Sequence, residues 1–244
     1  LNDEPRLAQV LILGAFGDFQ QLAGVLFGQL CNSDAIGTVV QSTYASDAQL
    51  VETTLYDIAE TARRNFEPGG QSTTLLFSRG VQAIIAHRVA HKLWESGDTN
   101  LALAVKSATG RVFSTDMHPC AQIGAGLWLD HGLGFVVGET AVIGEDVSIW
   151  HNVTLGSTLN DSGPHRHPLV GSGAVVGTGA VLLGGITIGK NANIAAGAIV
   201  VENVPEGMVA VGPKASLRGA ARVKGRDEAA RVHPDDAQQA RSRY

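Results

Sequence analysis

The stretch GLWLDHGLGFVVGETAVIGEDVSIWHNVTLG, residues 126–156, carries a period that belongs to neither an amphipathic helix nor an ordinary strand. Val137-Gly138, Ile143-Gly144, Ile149 and Leu155-Gly156 recur every six positions. The series resumes at Val170-Gly171 and runs through Val176-Gly177, Leu182, Ile188-Gly189, Ile194 and Val200. Ile123-Gly124 and Leu129-Asp130 form an earlier pair, two residues out of phase with the rest. An internal repeat outranks any reading of single segments. Each unit makes a short strand and a turn, three units close a triangular coil, and stacked coils pile their aliphatic side chains into one column. Small residues beside the aliphatic position permit the tight corners. The pattern predicts a parallel β-helix over residues 113–216.

Two interruptions break the lattice. One is the phase slip at DHGLG, residues 130–134, which sets Asp130 and His131 among apolar neighbours. The other is the polar excursion STLNDSGPHRHPL, residues 157–169. In a solenoid, insertions become outside loops, often at the working face.

Upstream the period changes. TLLFSRGVQAIIAHRVAHKLW, residues 74–94, places Phe77, Val81, Ile84, Ile85, Val89 and Leu93 on one side of a helix. Residues 5–65 mix Ala, Leu, Gln and Glu with few strand signals, and FEPGGQST, residues 66–73, reads as a loop by its Pro-Gly-Gly core. The expected organisation is an α-helical domain over 1–112, the β-helix over 113–216 and a charged, solvated tail over 217–244. The fold class is α+β.

Composition agrees and excludes. The 244 residues are 44% hydrophobic but only 5% aromatic, so the core is aliphatic. A formal net charge of −5 speaks against broad nucleic-acid binding, which needs a basic surface. No stretch approaches the ~18–20 unbroken apolar residues of a membrane span. The start, LNDEPRLAQV, lacks the layout of a signal peptide and also lacks Met, as a trimmed product would. Cys31 and Cys120 make no disulfide framework. The expectation is a cytoplasmic protein with no nucleic-acid or membrane partner.

The string DMHPCAQIGAGLWLDHGLGFVVGETAVIGEDVSI, followed by VTLGST and HRHP, closely resembles the serine O-acetyltransferase family over roughly residues 72–205. The resemblance implies a left-handed β-helix, a homotrimer or dimer of trimers, and transfer of acetyl from acetyl-CoA to the hydroxyl of L-serine on the route to cysteine. The chemistry needed is consistent with it. A hydroxyl attacking a thioester must lose its proton, and a histidine with near-neutral pKa suits that task, giving ~10²–10⁴-fold as general base. His131 lies at the break in the repeat, where its ring can leave the coil wall.

Asp116 lies fifteen residues earlier, nearly one coil, so the two side chains can meet on adjacent rungs. The resemblance implies that pairing, with Asp116 fixing the His131 tautomer. It also implies that Asp130 is the carboxylate meeting the amino acid, and that Arg166 and His167 hold the substrate. An arginine fork suits an α-carboxylate through two parallel charge-assisted bonds. Acetyl-CoA is expected along the outer wall between neighbouring subunits, at Gly177, Thr178, Gly179 and Ala196, with Lys214 near the phosphates.

The chain departs from the family in several places. His165 stands where the family has an acid before Arg-His-Pro, Ser157 and Leu159 replace glycines, and VGPKA alters the usual end of the coil. Counting back from LLFSRG, the family's ammonium-binding aspartate falls on Asn65, an uncharged amide, with Glu67 as the substitute under another loop register. These changes leave homoserine or another small amino alcohol as the alternative acceptor. A non-catalytic scaffold is the alternative outside enzymes, although it needs none of Asp116, Asp130, His131, Arg166 and His167. In the family the C-terminus, commonly isoleucine, enters cysteine synthase; this chain ends in Tyr244, and the usual complex is expected to be absent or altered.

Metal binding is the remaining reading of eight histidines. His87 and His91 in HRVAH lack the glutamate of H-E-x-x-H. A zinc trio drawn from His118, His131, His151 and His167, as in β-helix carbonic anhydrases, fits the Asp-Met-His-Pro and Arg-His-Pro contexts less well. No metal is expected.

Overall fold

The computed structural model describes residues 6, 10–11, 14–65, 68–158, 160 and 162–216. Glu67, Leu159 and the tail 217–244, including Tyr244, lie outside the described residues. Two compact units divide the chain, residues 1–212 and 213–244. In the second, Pro213 to Ser216 are exposed and without regular secondary structure.

Among the described residues from Phe19 on, six helices come first: α1 (Phe19–Leu30), α2 (Asp34–Ala45), α3 (Ala48–Arg64), α4 (Gly70–Phe77), α5 (Arg79–Glu95) and α6 (Thr99–Phe113). Asp18, Ser33 and Asp47 cap the first three, each side chain accepting from a backbone N–H of the first turn. The single helix expected across residues 74–94 is two helices. Ser78 is extended and caps α5 by accepting from Val81 N–H, so the chain turns there and Phe77 ends 54% exposed. The loop expected at 66–73 is correspondingly shorter, since α4 begins at Gly70.

The coils then follow. The first runs through β1 (Asp116–Met117), β2 (Gln122–Ile123) and β3 (Trp128–Leu129), the second through β4 (Val136–Val137), β5 (Val142–Ile143) and β6 (Ser148–Ile149). The third has β7 (Thr154–Gly156), β8 (Leu169–Val170) and β9 (Val175–Val176), the fourth β10 (Val181–Leu183), β11 (Thr187–Ile188) and β12 (Asn193–Ile194). β13 (Ile199–Val200) and β14 (Val209–Ala210) begin a fifth.

All pairing is parallel, in three sheets: β1-β4-β7-β10-β13, β2-β5-β8-β11 and β3-β6-β9-β12-β14. Register joins Met117, Val137, Leu155, Leu182 and Val200 down the first sheet, and Leu129, Ile149, Val176 and Ile194 down the third. Every aliphatic residue of the six-residue series is buried, worth ~1.5–3 kcal/mol each. Both interruptions leave this register intact because they are confined to corners.

Charge docks the helices onto the first coil. Arg88 on α5 forks onto Asp57 of α3 at 3.0 and 3.2 Å and donates to the carbonyls of Ile123 and Gly124. Asp57 also accepts from Gly126 N–H at 2.7 Å. Burial pushes the Asp57 carboxyl up, opposed by the Arg88 charge and these hydrogen bonds. Gly80, at the start of α5, lies where a Cβ would stand 1.8 Å from the Leu129 carbonyl oxygen, so α5 meets β3 backbone to backbone. No helix of the described residues is long and apolar enough to cross a membrane.

His87 extends the same interface. Its Nε2–H donates to the Ala121 carbonyl at 3.1 Å, while Nδ1 is buried without a partner. Burial, with Arg88 and His91 nearby, pushes it down to about 3. The unfolded chain therefore binds a proton here that the fold excludes, so stability is complete above pH ~6.5 and falls as pH drops toward 3, by up to about 1.4 kcal/mol per pH unit. Urea unfolding between pH 7 and 5, above the carboxylate range, should show this slope in the wild type and a shallower one in His87→Gln. Parallel slopes would assign the acid sensitivity to other groups.

Candidate active site

The third and first sheets meet at one corner of the prism, and the chain crosses it once per coil. In the regular coils the crossing is short. Asn152, Gly179 and Gly197 take the left-handed conformation there, at φ 58°, 69° and 69°. Their N–H groups donate to the carbonyls of Leu133, His151 and Thr178 in the coil before. Leu133, His151, Thr178 and Ala196 therefore stack as one column. The first crossing has two more residues, since Leu129 to Val137 spans eight positions where later coils use six. The surplus bulges outward at Asp130 to Gly132, with His131 and Gly132 at φ 60° and 76°. A histidine held there costs roughly 1–2 kcal/mol, and it ends with its side chain 65% exposed.

His131 Nε2 lies 3.5 Å from Asp130 Oδ2, and its ring centroid is 5.6 Å from that of His151. Asp130 and His131 border an open cleft of about 420 Å³ shared with Asn65, Ser78, Arg79 and Leu133. Asn65 ends α3, and its neighbour Arg64 pins that end to the coil through Asp146, Ser148 and the Val147 carbonyl at 3.1–3.3 Å. Trp128 Nε1–H donates to Asn65 Oδ1 at 2.9 Å, and Trp128 packs edge-on against Trp150 at 4.9 Å. The Asn65 carbonyl is thus occupied, and its amide N–H groups remain.

Other residues singled out from the sequence lie elsewhere. Asp116 does not meet His131. The longer first crossing makes this coil twenty residues, so Asp116 aligns with Val136, and its carboxylate is taken by Lys106 of α6. Arg166 and His167 sit at the corner between the first and second sheets. There Arg166 is ion-paired with Glu139 and holds that carboxyl below its ordinary range. His167 Nδ1 lies 2.9 Å from the Thr140 hydroxyl and accepts from Thr140 N–H, with its ring over Gly138, where a Cβ would stand 2.0 Å away. His165 packs its carbonyl on Gly185 at the same corner, and Ser157 opens the excursion as an exposed residue. Lys214 is an exposed residue of the second unit.

Gly177, Thr178, Gly179 and Ala196 do fall on the His131 corner, in the coils above it. Thr178 donates to the His151 carbonyl at 3.1 Å. A Cβ on Gly177 would stand 2.6 Å from Ala196 N, so consecutive coils touch there through backbone. Sequence reasoning weighed His151 only as a metal ligand and passed over Lys106, Glu139, Thr140 and Trp128. For His151 the signal was its place two residues past Ile149, where the later coils carry Thr178 and Ala196. Among the described residues no three His, Cys, Asp or Glu side chains converge as a metal site.

A histidine ejected at a corner thus stands below a wall of small side chains, the arrangement expected of a hexapeptide-repeat acyltransferase. No family model matches the chain. It is 40% identical over 198 residues to the serine acetyltransferase of Escherichia coli K12, covering 81% of this chain and 72% of that enzyme. Among solved structures, serine acetyltransferase from Neisseria gonorrhoeae in complex with serine superposes with a TM-score of 0.76 at 36% identity, over 88% of this chain and 91% of that one. The Brucella abortus enzyme in complex with coenzyme A gives 0.77 at 31%, over 86% of each chain. The chain belongs to the serine acetyltransferase family, and its coil is the left-handed β-helix of those structures.

Gly177→Val should lower stability by ~1–3 kcal/mol, the cost of forcing a side chain into packed backbone. Thermal unfolding against the wild type measures it. An unchanged midpoint would mean the coils separate freely there.

Proposed function

We propose that this chain transfers the acetyl group of acetyl-CoA to the hydroxyl of L-serine, giving O-acetylserine, with His131 as general base. The family relation across most of the chain carries the reading, together with the exposed His131 beside a carboxylate at the foot of the small-residue column. The pantetheine arm lies along the corner formed by Gly177, Thr178, Gly179 and Ala196, where short side chains let it approach the wall. Its thioester then reaches the cleft at His131.

The serine hydroxyl loses its proton to His131 while its oxygen bonds to the thioester carbon, and the carbonyl electrons move onto oxygen. Collapse of this tetrahedral species breaks the C–S bond, and His131 returns the proton to the departing thiolate. Asp130, 21% exposed, faces the substrate ammonium. Asn65 offers N–H donors on the opposite wall. Asp116, whose carboxylate is paired with Lys106 here, is the candidate to orient His131.

Arg166 and His167 belong to the same reaction through a neighbouring copy. Within one chain they occupy a different corner from His131, so a site using both needs two chains. A cyclic trimer that sets one corner against the next supplies that juxtaposition three times. Glu139 keeps the Arg166 fork oriented toward the α-carboxylate.

Thiol release from acetyl-CoA with serine should be saturable in the wild type. His131→Ala and Arg166→Ala should each lose at least ~100-fold. Co-expressing the two inactive variants should restore part of the activity, because mixed assemblies contain some sites with both wild-type residues. Activity that stays absent in the mixture, with each variant assembled normally, would place the whole site in one chain.

Asn65→Asp tests acceptor recognition. A second carboxylate across from Asp130 should lower the serine KM by about tenfold or more without raising kcat, since a charge-assisted bond to an ammonium is worth ~1.5–3 kcal/mol. An unchanged KM would show that position 65 does not face the amino group.

A further inference from the structure

We propose that His151 is a further catalytic residue, donating its Nε2–H to the oxyanion that forms on the thioester oxygen. The inference rests on the acetyl-transfer reading above and adds a role to a residue that reading does not use.

The first observation is position. His151 stands in the corner column between Leu133 and Thr178, one coil above the bulge that carries His131. Its ring centroid is 5.6 Å from that of His131, with the planes at 59°. Coils stack at ~4.8 Å, so a thioester descending the column past Ala196 and Thr178 meets His151 immediately before His131. The tetrahedral carbon must lie within bonding reach of an oxygen held by His131. Its oxyanion therefore projects either toward the solvent or toward the wall, and the first polar wall side chain above that level is His151.

The second observation is the state of the ring. His151 Nδ1 is buried and has no hydrogen-bond partner. A proton on that nitrogen would be a donor with no acceptor in the interior, which costs ~1–3 kcal/mol. The tautomer that avoids this carries its proton on Nε2, which is not buried without a partner as Nδ1 is. The backbone is fixed as well, because the His151 carbonyl accepts from both Gly179 N–H and the Thr178 hydroxyl at 3.0 and 3.1 Å. The outcome is an N–H on the ring nitrogen that is not buried, carried by a fixed backbone, and preset donors of this kind act without reorganising during the reaction.

In the chemical step no proton is transferred by His151. The hydroxyl proton goes to His131, the carbonyl electrons go to oxygen, and His151 donates a hydrogen bond to that oxygen until the C–S bond breaks. Its contribution is confined to the transition state and intermediate, so it belongs in kcat.

The experiment compares wild type, His151→Leu and His151→Gln in thiol-release kinetics with serine and acetyl-CoA, alongside thermal unfolding and the Kd for coenzyme A. Glutamine keeps an N–H donor near the Nε2 position; leucine keeps bulk and loses the donor. The expected result for His151→Leu is a kcat lower by ~10²–10³, with both KM values and the coenzyme Kd near wild type. His151→Gln should recover at least tenfold of that loss. A second readout uses an acetyl dithioester of coenzyme A, whose sulfur is a poor acceptor. The oxygen-to-sulfur change should slow the wild type more than it slows His151→Leu.

A His151→Leu kcat within about threefold of wild type overturns the role, as does an equal dithioester effect in the two proteins. If His151→Leu does not fold, His151→Phe, which also lacks the donor, takes its place with the same two outcomes. Silence of the wild type itself with serine overturns the acetyl-transfer reading, and the role of His151 falls with it. Activity in both wild type and His151→Leu removes only His151.

Discussion

Everything near the candidate site is held by the pair Asp57–Arg88. A fork that takes a carboxylate on one side and two backbone carbonyls on the other joins α3, α5 and the first turn of the coil. Each charge is buried, so removing either partner leaves the other unpaired, a loss of ~3–5 kcal/mol. The consequence is geometric. Asp57 is two turns from the end of α3, and Arg64 ties that end to Asp146 and the next coil. Asn65 is thereby set across from Asp130 and His131, and the cleft exists because two helices cannot shift relative to the coil.

Against this rigid frame the site is made by a local excess of chain. A regular crossing has room for one left-handed residue, and its side chains lie on the wall. Two extra residues at the first crossing have nowhere to go but outward, and they carry the acid and the imidazole with them. Strain at φ 60° for His131 is tolerated because the strands on both sides, β3 and β4, keep full register with β6 and β7. The coils above stay regular, which leaves the corner lined by Thr178, Gly179 and Ala196 as an even track.

The aliphatic period made the coil legible without any coordinates, since each unit repeats the same burial constraint and many repeats average out local noise. The bulge was legible for the same reason, as a departure from a strict rule. What escaped was anything that depends on counting across the irregular parts. Fifteen residues between Asp116 and His131 read as one rung, but the surplus at the bulge makes that coil twenty residues long and sets Val136 above Asp116. Lys106, on a helix with its own period, gave no sign of facing a strand. The break at Ser78 was hidden because Phe77 and Val81 have helical spacing; a serine that caps one helix looks the same as a serine inside a longer one. His151 became meaningful only once the corner column was known.

The separation of Arg166 from His131 follows from the triangular section, and it links stability and activity differently from a single-chain cleft. A coil folds by stacking on itself, and its aliphatic column is complete in one chain. Its outer faces are not complete: Leu169, Ile199 and Val209 remain 44%, 72% and 60% exposed on their strands. Burying such flat apolar faces against a second copy would be favourable by ~25 cal/mol per Å². Under the proposed assembly, the interaction that covers these faces also completes the substrate site. A lone chain would then fold with its base exposed and its carboxylate receptor out of reach, so catalysis would begin only where the apolar faces have found their partner.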